Sequence, residues 1–385
     1  MGTVRSASKR LPDDAAGKAA PIGRTAVVGS GARTVRASSP LEGGARGGRS
    51  AAEVVKINDV AREAGVSAAT VSRTLNGRSS VDPVLAARVR EAASRLGYRP
   101  NGVARSLRRQ VTDVLALIIT DVSNPFFTAI TRGVEDVAQS RGLSVLLCNS
   151  DEDPGKESTY LHVAEQEQVA GVILSPHRAG SDVAHLRRAS IPMVVIDRPL
   201  DEPVDSVMVR SREGARAATN HLIDAGWTRP ACITGPGDAW TAQERLEGYL
   251  EAVREHGELD ELWVHAPFRQ QGGMSGAARL LDAPDPPDAL FVANAQMALG
   301  VLEEARRRGL RVGVDLGVIT FDDAPWTSFV SPPMSVVAQP AYDIGAQAAQ
   351  LLMERVKGTA PEAPRHLWLS TMLIVRESSR RHGPG

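Results

Sequence analysis

Between Ser67 and Asn76 the chain presents a row of small and polar side chains: Ser67, Ala68, Ala69, Thr70, Ser72, Arg73 and Asn76. Nothing bulky in that row would hold a nucleic acid away, and its hydroxyl, amide and guanidinium groups suit phosphates and base edges. The chain is poorer in chemistry that breaks bonds. It has no phosphate loop, no GxSxG elbow and no zinc-like cluster. The elements that must position the row are legible around it. Ile57, Val60, Ala61 and Ala64 fall at i, i+3, i+4 and i+7, one apolar helix face. Gly65 can take the left-handed conformation that ends a helix, and Val66 can plug the gap behind it. Ser67 then caps a second helix on which Val71 and Leu75 point inward. Two short helices so joined are a helix-turn-helix, whose second member lies in the major groove. An ordinary αα-hairpin is the plainer alternative. Asp82 and Pro83 open a third helix with an apolar stripe of Leu85, Val89, Ala92 and Leu96, and Gly97 ends it.

Residues 98–109 follow, with Asn101 able to cap a short helix carrying Val103, Ala104 and Leu107 on one side. A helix of about seven residues does not hold alone in water, so it would order only against a partner. A plain basic linker is the alternative. The charge balance supports a nucleic-acid partner. The 385-residue chain is neutral overall, but residues 1–54 hold nine Lys+Arg against four Asp+Glu, and residues 55–110 hold eleven against four. The remainder is acidic, 25 against 37. A basic leading module on an acidic body fits a nucleic-acid reader joined to a soluble domain. Residues 1–53, rich in Gly, Ala, Ser and Arg, read as a disordered basic extension adding weak phosphate attraction, or as an over-long start assignment.

After Val111 the texture changes to strands alternating with amphipathic helices. Strands are expected at Val114–Thr120, Ser144–Cys148, Gly171–Leu174, Met193–Ile196, Ala231–Thr234, Ala289–Ala293 and Gly317–Phe321. Helices fit between them, as at Thr128–Ser140, Arg212–Ala225, Ala242–Glu255 and Gln296–Arg308. This alternation implies parallel sheets covered on both faces, and more strands than one open sheet usually holds, hence two stacked α/β subdomains. A ligand would sit beyond the carboxyl ends of the strands, in the cleft between lobes. Cys148 and Cys232 each sit in an apolar run and read as buried reduced thiols. No apolar run reaches the roughly 18 residues that span a membrane, and no apolar leader follows the first arginines, so the cytoplasm is expected.

Taken together, residues 55 to about 378 resemble the lactose/galactose repressor (LacI/GalR) family. The resemblance rests on AspValAlaArgGluAlaGlyValSer…ThrValSerArgThrLeuAsn in the head and TyrArgProAsn…AlaArgSerLeu after it. It continues through AsnProPhePhe at 124–127, AspArgPro at 197–199, ArgLeuGluGlyTyr at 245–249 and PheValAlaAsnAlaGlnMetAlaLeuGly at 291–300, then PheAspAspAlaProTrp at 321–326 and ValAlaGlnPro at 337–340. It implies a small all-α helix-turn-helix DNA-binding domain (54–98), a hinge helix or linker (99–110), and an α/β core of two parallel-sheet subdomains like type I periplasmic binding proteins (111–378). The core's first subdomain would hold about 111–210 and 340–366, the second about 211–339 and 367–378. Crossings are therefore expected near Arg210, Gln339 and His366, with a disordered tail at 379–385.

The resemblance also assigns roles. Ala68, Ala69 and Arg73 would face bases, Arg73 forking onto a guanine. Ser67, Ser72, Asn76 and Lys56 would contact phosphates, and Thr70, Asn101 and Ala104 complete the DNA-facing set. Leu107 matches a wedge pushed between base steps in the minor groove. In the cleft, Arg245, Asn294 and Asp322 match polar ligand positions, with Gln339, Arg198 and the apolar walls Phe126, Phe127 and Phe268. Trp326 would lie near the cleft or serve packing. Two departures stand out: Arg210–Ser211 replaces the usual AspAsn, and Ala295 follows Asn294 in place of Asp or Asn. Both remove polar groups near the cleft or its hinge and would favour an anionic ligand, Arg210 being an added cation. His177 and His185 have no metal-like spacing and read as surface or cleft-edge residues.

The implied function is a sequence-specific DNA-binding transcriptional regulator, a repressor, controlled by a small sugar or sugar-derivative bound between subdomains. Its partners would be a pseudo-palindromic double-stranded operator, the effector and a second copy of itself, with no cofactor, metal, membrane or catalysis. A dimer is expected because no leucine heptad, the tetramer-forming tail of relatives, follows Glu377. A solute-binding protein for uptake shares the core, but would need an export signal and has no use for residues 55–109. Deleting residues 1–53 is expected to leave operator binding largely intact while Leu107→Ala weakens it. A gel-shift series ranking the two the other way round would overturn that assignment.

Overall fold

The computed structural model describes residues 55–75, 81–98, 112–257 and 259–381. Its helical head and the core that begins at residue 112 belong to separate compact units. Among the described residues the head has three helices, α1 (Ile57–Ala64), α2 (Ala68–Leu75) and α3 (Pro83–Arg95). Val60, Ala64, Val71, Val89 and Ala92 are its buried centre, drawn from all three helices.

The core runs β1 (Val114–Ile119), α4 (Pro125–Ser140), β2 (Ser144–Asn149), α5 (Pro154–Gln166), β3 (Gly171–Leu174), α6 (Ala184–Arg188), β4 (Met193–Ile196) and β5 (Asp205–Val209). It crosses to a second lobe with α7 (Ser211–Asp224), β6 (Pro230–Thr234), α8 (Trp240–Glu255), β7 (Leu262–His265), α9 (Gln270–Leu281), β8 (Ala289–Val292), α10 (Ala295–Arg307), β9 (Gly317–Phe321) and β10 (Ser335–Ala338). It returns through α11 (Ala341–Lys357) and β11 (His366–Leu369), then ends in β12 (Met372–Ile374) and a short 3-10 turn at Glu377–Ser379.

Each lobe carries a six-stranded sheet, and the two repeat one plan. The orders are β11-β5-β4-β3-β1-β2 and β12-β10-β9-β8-β6-β7. Every pairing is parallel except β10 with β12. The interior strands are unbroken apolar runs because helices cover both faces, as in β1, ValLeuAlaLeuIleIle. Helix starts are marked by side-chain caps: Asn124 and Asp153 accept from amides of the first turn, each followed by a proline, so the first of these helices begins three residues before the expected Thr128. All seven expected strands form. Five more do too: β5, β7, β10, β11 and β12, each three to five residues long.

Three expectations need correction. β11 pairs with β5 in the first lobe, residue for residue from His366 to Leu369. The third crossing therefore falls at Ser370–Thr371, and residues 367–369 belong to the first subdomain. The tail assigned from 379 onward is also fixed further along: Ser379 is fully buried, its carbonyl accepts from Trp227 Nε1 at 2.8 Å, and its hydroxyl meets His221 and Ser335. A hydroxyl is held there between the His221 ring and the Ser335 hydroxyl, while the backbone carbonyl answers the buried indole N–H. Finally, His185 is not at the surface. It is buried and stacks on His162 at 4.3 Å.

The edge of the first sheet is tied by one buried carboxylate. Asp205, at the start of β5, accepts from Arg355 on α11 (2.6 and 3.0 Å) and from the side chain and amide of Arg365 before β11 (2.6 and 2.9 Å). Burial alone would raise this carboxyl, but the two guanidinium groups outweigh it and hold it below the usual carboxylate range. Its contribution is thus fully present above about pH 4 and lost as pH falls through the depressed value. Asp205→Asn is expected to cost about 1–3 kcal/mol at pH 7, since an amide cannot accept from both guanidinium groups, although Arg365 keeps Glu354 and Arg355 keeps the carbonyls of Glu362 and Ala363. In urea unfolding that difference should shrink towards acid pH, and a constant difference down to pH 2 would refute the assignment.

Candidate ligand cleft and nucleic-acid interface

In the head, the turn between α1 and α2 rests on Gly65 at φ 62°, with Val66 donating back to the Ala61 carbonyl. A side chain there would be strained and would also meet the Arg88 guanidinium, which binds the Ala64 carbonyl at 2.7 Å. Ser67 caps α2: its Oγ accepts from the Thr70 amide at 3.1 Å and meets the Thr70 hydroxyl at 2.9 Å. Thr70 is thereby engaged by the cap. Ala69 and Arg73 are exposed on one face while Val71 and Thr74 are buried on the other. The Arg73 side chain lies along its own helix, Nε donating to the Ala69 carbonyl at 3.3 Å. Lys56 is exposed at the start of α1. The helix thus turns an uncluttered, hydrogen-bonding face outward.

In the core, the carboxyl ends of the strands from both lobes converge on one cavity of about 310 Å³. Asp121, Glu152, His177, Asp197 and Arg198 stand just beyond β1, β2, β3 and β4; Phe268, Asn294, Asp322 and Gln339 stand just beyond β7, β8, β9 and β10. Arg245 comes from the second turn of α8 and is only 4% exposed. Its Nη1 donates to the Ala293 carbonyl at 2.6 Å and its guanidinium lies 4.1 Å over the Phe321 ring. Asp322, at φ 72°, accepts from Gln339 Nε2 at 2.6 Å. Burial raises the Asp322 carboxyl while Arg245 opposes the rise. Burial likewise raises Asp197. Asn294 caps α10, its Oδ1 accepting from the Met297 amide at 2.8 Å, which leaves its amide nitrogen for a ligand. Phe126 and Phe127 pack edge to face at 5.1 Å and Phe268 faces them as a further apolar wall.

Residues 56–101 match the family described as bacterial regulatory proteins, lacI family, and residues 219–379 match the periplasmic binding protein-like domain. The ribose operon repressor of Halalkalibacterium halodurans is 36% identical over 328 residues, 84% of this chain and 97% of that protein. The chain belongs to the LacI family of bacterial regulatory proteins.

Solved structures agree. A complex of the transcriptional regulator CelR with cellobiose is 34% identical, with a TM-score of 0.64 over 84% of this chain and 99% of that one. The Lac repressor dimer bound to operator is 25% identical, with a TM-score of 0.76 over 85% and 99%. The protein is therefore a DNA-binding transcriptional regulator with a ligand-responsive core, and the uptake alternative leaves its head without a purpose. Among the described residues no helix is long and apolar enough to cross a membrane.

The structure brings Phe126, Phe127, Arg198, Arg245, Phe268, Asn294, Asp322 and Gln339 onto the one cavity. Trp326 instead packs on the second lobe's core. Arg210 is not among the lining residues: it is exposed at the start of α7 and pairs with Glu213 at 3.0 Å, so it adds no cation to the cleft. Asn76, Asn101, Ala104 and Leu107 lie outside the described residues. Sequence reasoning missed Asp121, Glu152, Asp238 and Thr241, all on the lining. Asp121 was findable, since it stands two residues past a strand end. Ser67→Ala is expected to cost about 1 kcal/mol of head stability by removing the cap. Amide exchange should then quicken in α2 and leave the core unchanged; equal protection in both proteins would show that the cap carries no weight.

Proposed function

We propose that this regulator is a repressor that binds its operator as a homodimer and releases it when a small neutral sugar fills the cleft. The observation carrying the reading is unused hydrogen-bonding capacity among the lining residues: Arg245 Nε and Gln339 Oε1 are buried without a hydrogen-bond partner. Sugar hydroxyls both donate and accept, and the three phenylalanines suit the apolar faces of the ring. Neutrality follows from the lining charges. Asp121, Glu152, Asp197, Asp238 and Asp322 outnumber Arg198, Arg245 and Arg269, so an anion gains little. The names of similar proteins, a ribose operon repressor and a regulator solved with cellobiose, support a sugar.

The head reads DNA in this proposal through Ala68, Ala69 and Arg73. Lys56, Ser67 and Ser72, with Asn76, set register on phosphates, and Leu107 opens a base step. Dimerisation is supported by the operator-bound dimer of a similar protein and by apolar surface left bare on one copy, Phe329 being 88% exposed. Binding without turnover, in the cytoplasm, completes the reading. The sugar acts only by binding one arrangement of the lobes better than another.

The test is a gel shift with promoter fragments from the protein's own locus, with and without D-ribose and other neutral pentoses and hexoses. Operator binding that weakens with one such sugar, recovered chemically unchanged, is expected. Arg73→Ala should cost about 1–3 kcal/mol and relax discrimination at one base pair per half-site. Indifference to every fragment and every sugar would overturn the reading.

A further inference from the structure

One corner of the cleft is built unlike the rest. Glu152 grips Arg198 with both carboxylate oxygens, Nη1 to Oε2 at 2.7 Å and Nη2 to Oε1 at 2.5 Å. The Arg198 side chain is 5% exposed, and its remaining nitrogen, Nε, stands 3.6 Å from Asp197. Nη1 also reaches the His177 carbonyl at 3.3 Å, and His177 Nδ1 lies 3.5 Å from Glu152 Oε2. Burial opposes ionisation of Glu152, but Arg198 outweighs it and holds the carboxyl below its ordinary value.

The turn that delivers Glu152 is fixed in advance. Asp151 and Glu152 both sit in the left-handed region, at φ 54° and 60°, which side chains other than glycine rarely occupy. Asp151 is pinned by Asn149 Nδ2 at 2.7 Å and Lys156 Nζ at 2.5 Å. Ser150 bonds back to the Ile119 carbonyl, and Asp153 caps α5. Two consecutive strained residues between such anchors mean that the carboxylate is held in place rather than swinging freely.

We propose that Glu152 is a specificity-determining residue that withdraws Arg198 from the ligand, turning the first lobe's polar wall from a donor of charged hydrogen bonds into an acceptor. With both terminal nitrogens engaged, that wall offers a sugar mainly the oxygens of Glu152, Asp197 and Asp121. It accepts from hydroxyl groups and repels a carboxylate or phosphate placed there. The effector is thus a sugar whose hydroxyls face this corner, and the acid and phosphate forms of the same sugar are rejected. The inference rests on the sugar-responsive reading above.

The experiment is calorimetric titration of the full chain with D-ribose, D-ribonate and D-ribose 5-phosphate, for the protein and for Glu152→Gln. The amide oxygen of glutamine can hold one nitrogen of Arg198 while its NH2 cannot accept from the other, so a charged donor is freed. The unaltered protein is expected to bind D-ribose and neither anion. In Glu152→Gln the affinity for an anion relative to D-ribose should rise about 10-fold or more, the size of one charge-assisted hydrogen bond. A merely structural role would weaken all three ligands together and leave the ratio unmoved, which would overturn the proposal. If the variant does not fold, the comparison on the unaltered protein still decides. An anion bound as well as D-ribose overturns the role of Glu152 while a sugar-responsive regulator stands. Where D-ribose does not bind, the same titration uses the neutral sugar that weakens operator binding and its acid and phosphate forms. Binding of no neutral sugar removes the sugar reading beneath it.

Discussion

A guanidinium buried away from water has to be answered by the protein around it. Arg245 is answered by the ends of two neighbouring strands. The Ala293 carbonyl closing β8 accepts one of its nitrogens, the Phe321 ring closing β9 lies under its plane, and Asp322 supplies the opposing charge. Left unanswered, such a charge costs several kcal/mol. The loops after β8 and β9 therefore hold the positions that present Asn294 and Asp322, and the second lobe's half of the cleft is organised before any ligand arrives. Preorganisation of this kind lowers the ordering cost of binding.

The cleft is also wired to the hinges between lobes. Gln339 lies where the chain leaves β10 for the first lobe, and its amide holds Asp322 at 2.6 Å. A ligand touching either residue acts on a crossing strand and on the cavity floor together. Across the cleft mouth, Gln296 Nε2 of α10 donates to the Ser123 carbonyl at 3.0 Å, a direct bond from one lobe to the other. A bound sugar that bridges the lobes adds to such contacts, and its differential affinity for the closed arrangement is the only energy available to shift the population.

Much of the plan was legible along the chain. The interior strands announce themselves because both faces are buried, so β1, β8 and β9 are nearly continuous apolar runs. The edge strands do not. β11 alternates exposed and half-buried residues over four positions and reads as loop. Missing it moved the third crossing by a few residues. The eight cleft residues taken from the family pattern meet on one cavity, while Arg210, chosen as an extra cation, turned out to be answered by Glu213. Ser379 looked like the start of a frayed end, and Glu152 drew no attention at all, for the same reason. A polar residue gives no sign in sequence that a distant indole, hydroxyl or guanidinium is waiting for it.

By itself the sequence determined the interior strands and the helices between them, where the head's turn lies, and the likeness to the LacI family. Those properties follow from periodicity, caps and local residue order, which act over a few positions. Tertiary structure alone decided what answers each buried charge. Arg198 and Arg245 look alike in the chain, yet one is clasped by a carboxylate 46 residues away and the other is met by a backbone carbonyl and an aromatic ring. Ion pairing depends on distances set by folding, and no local pattern carries them.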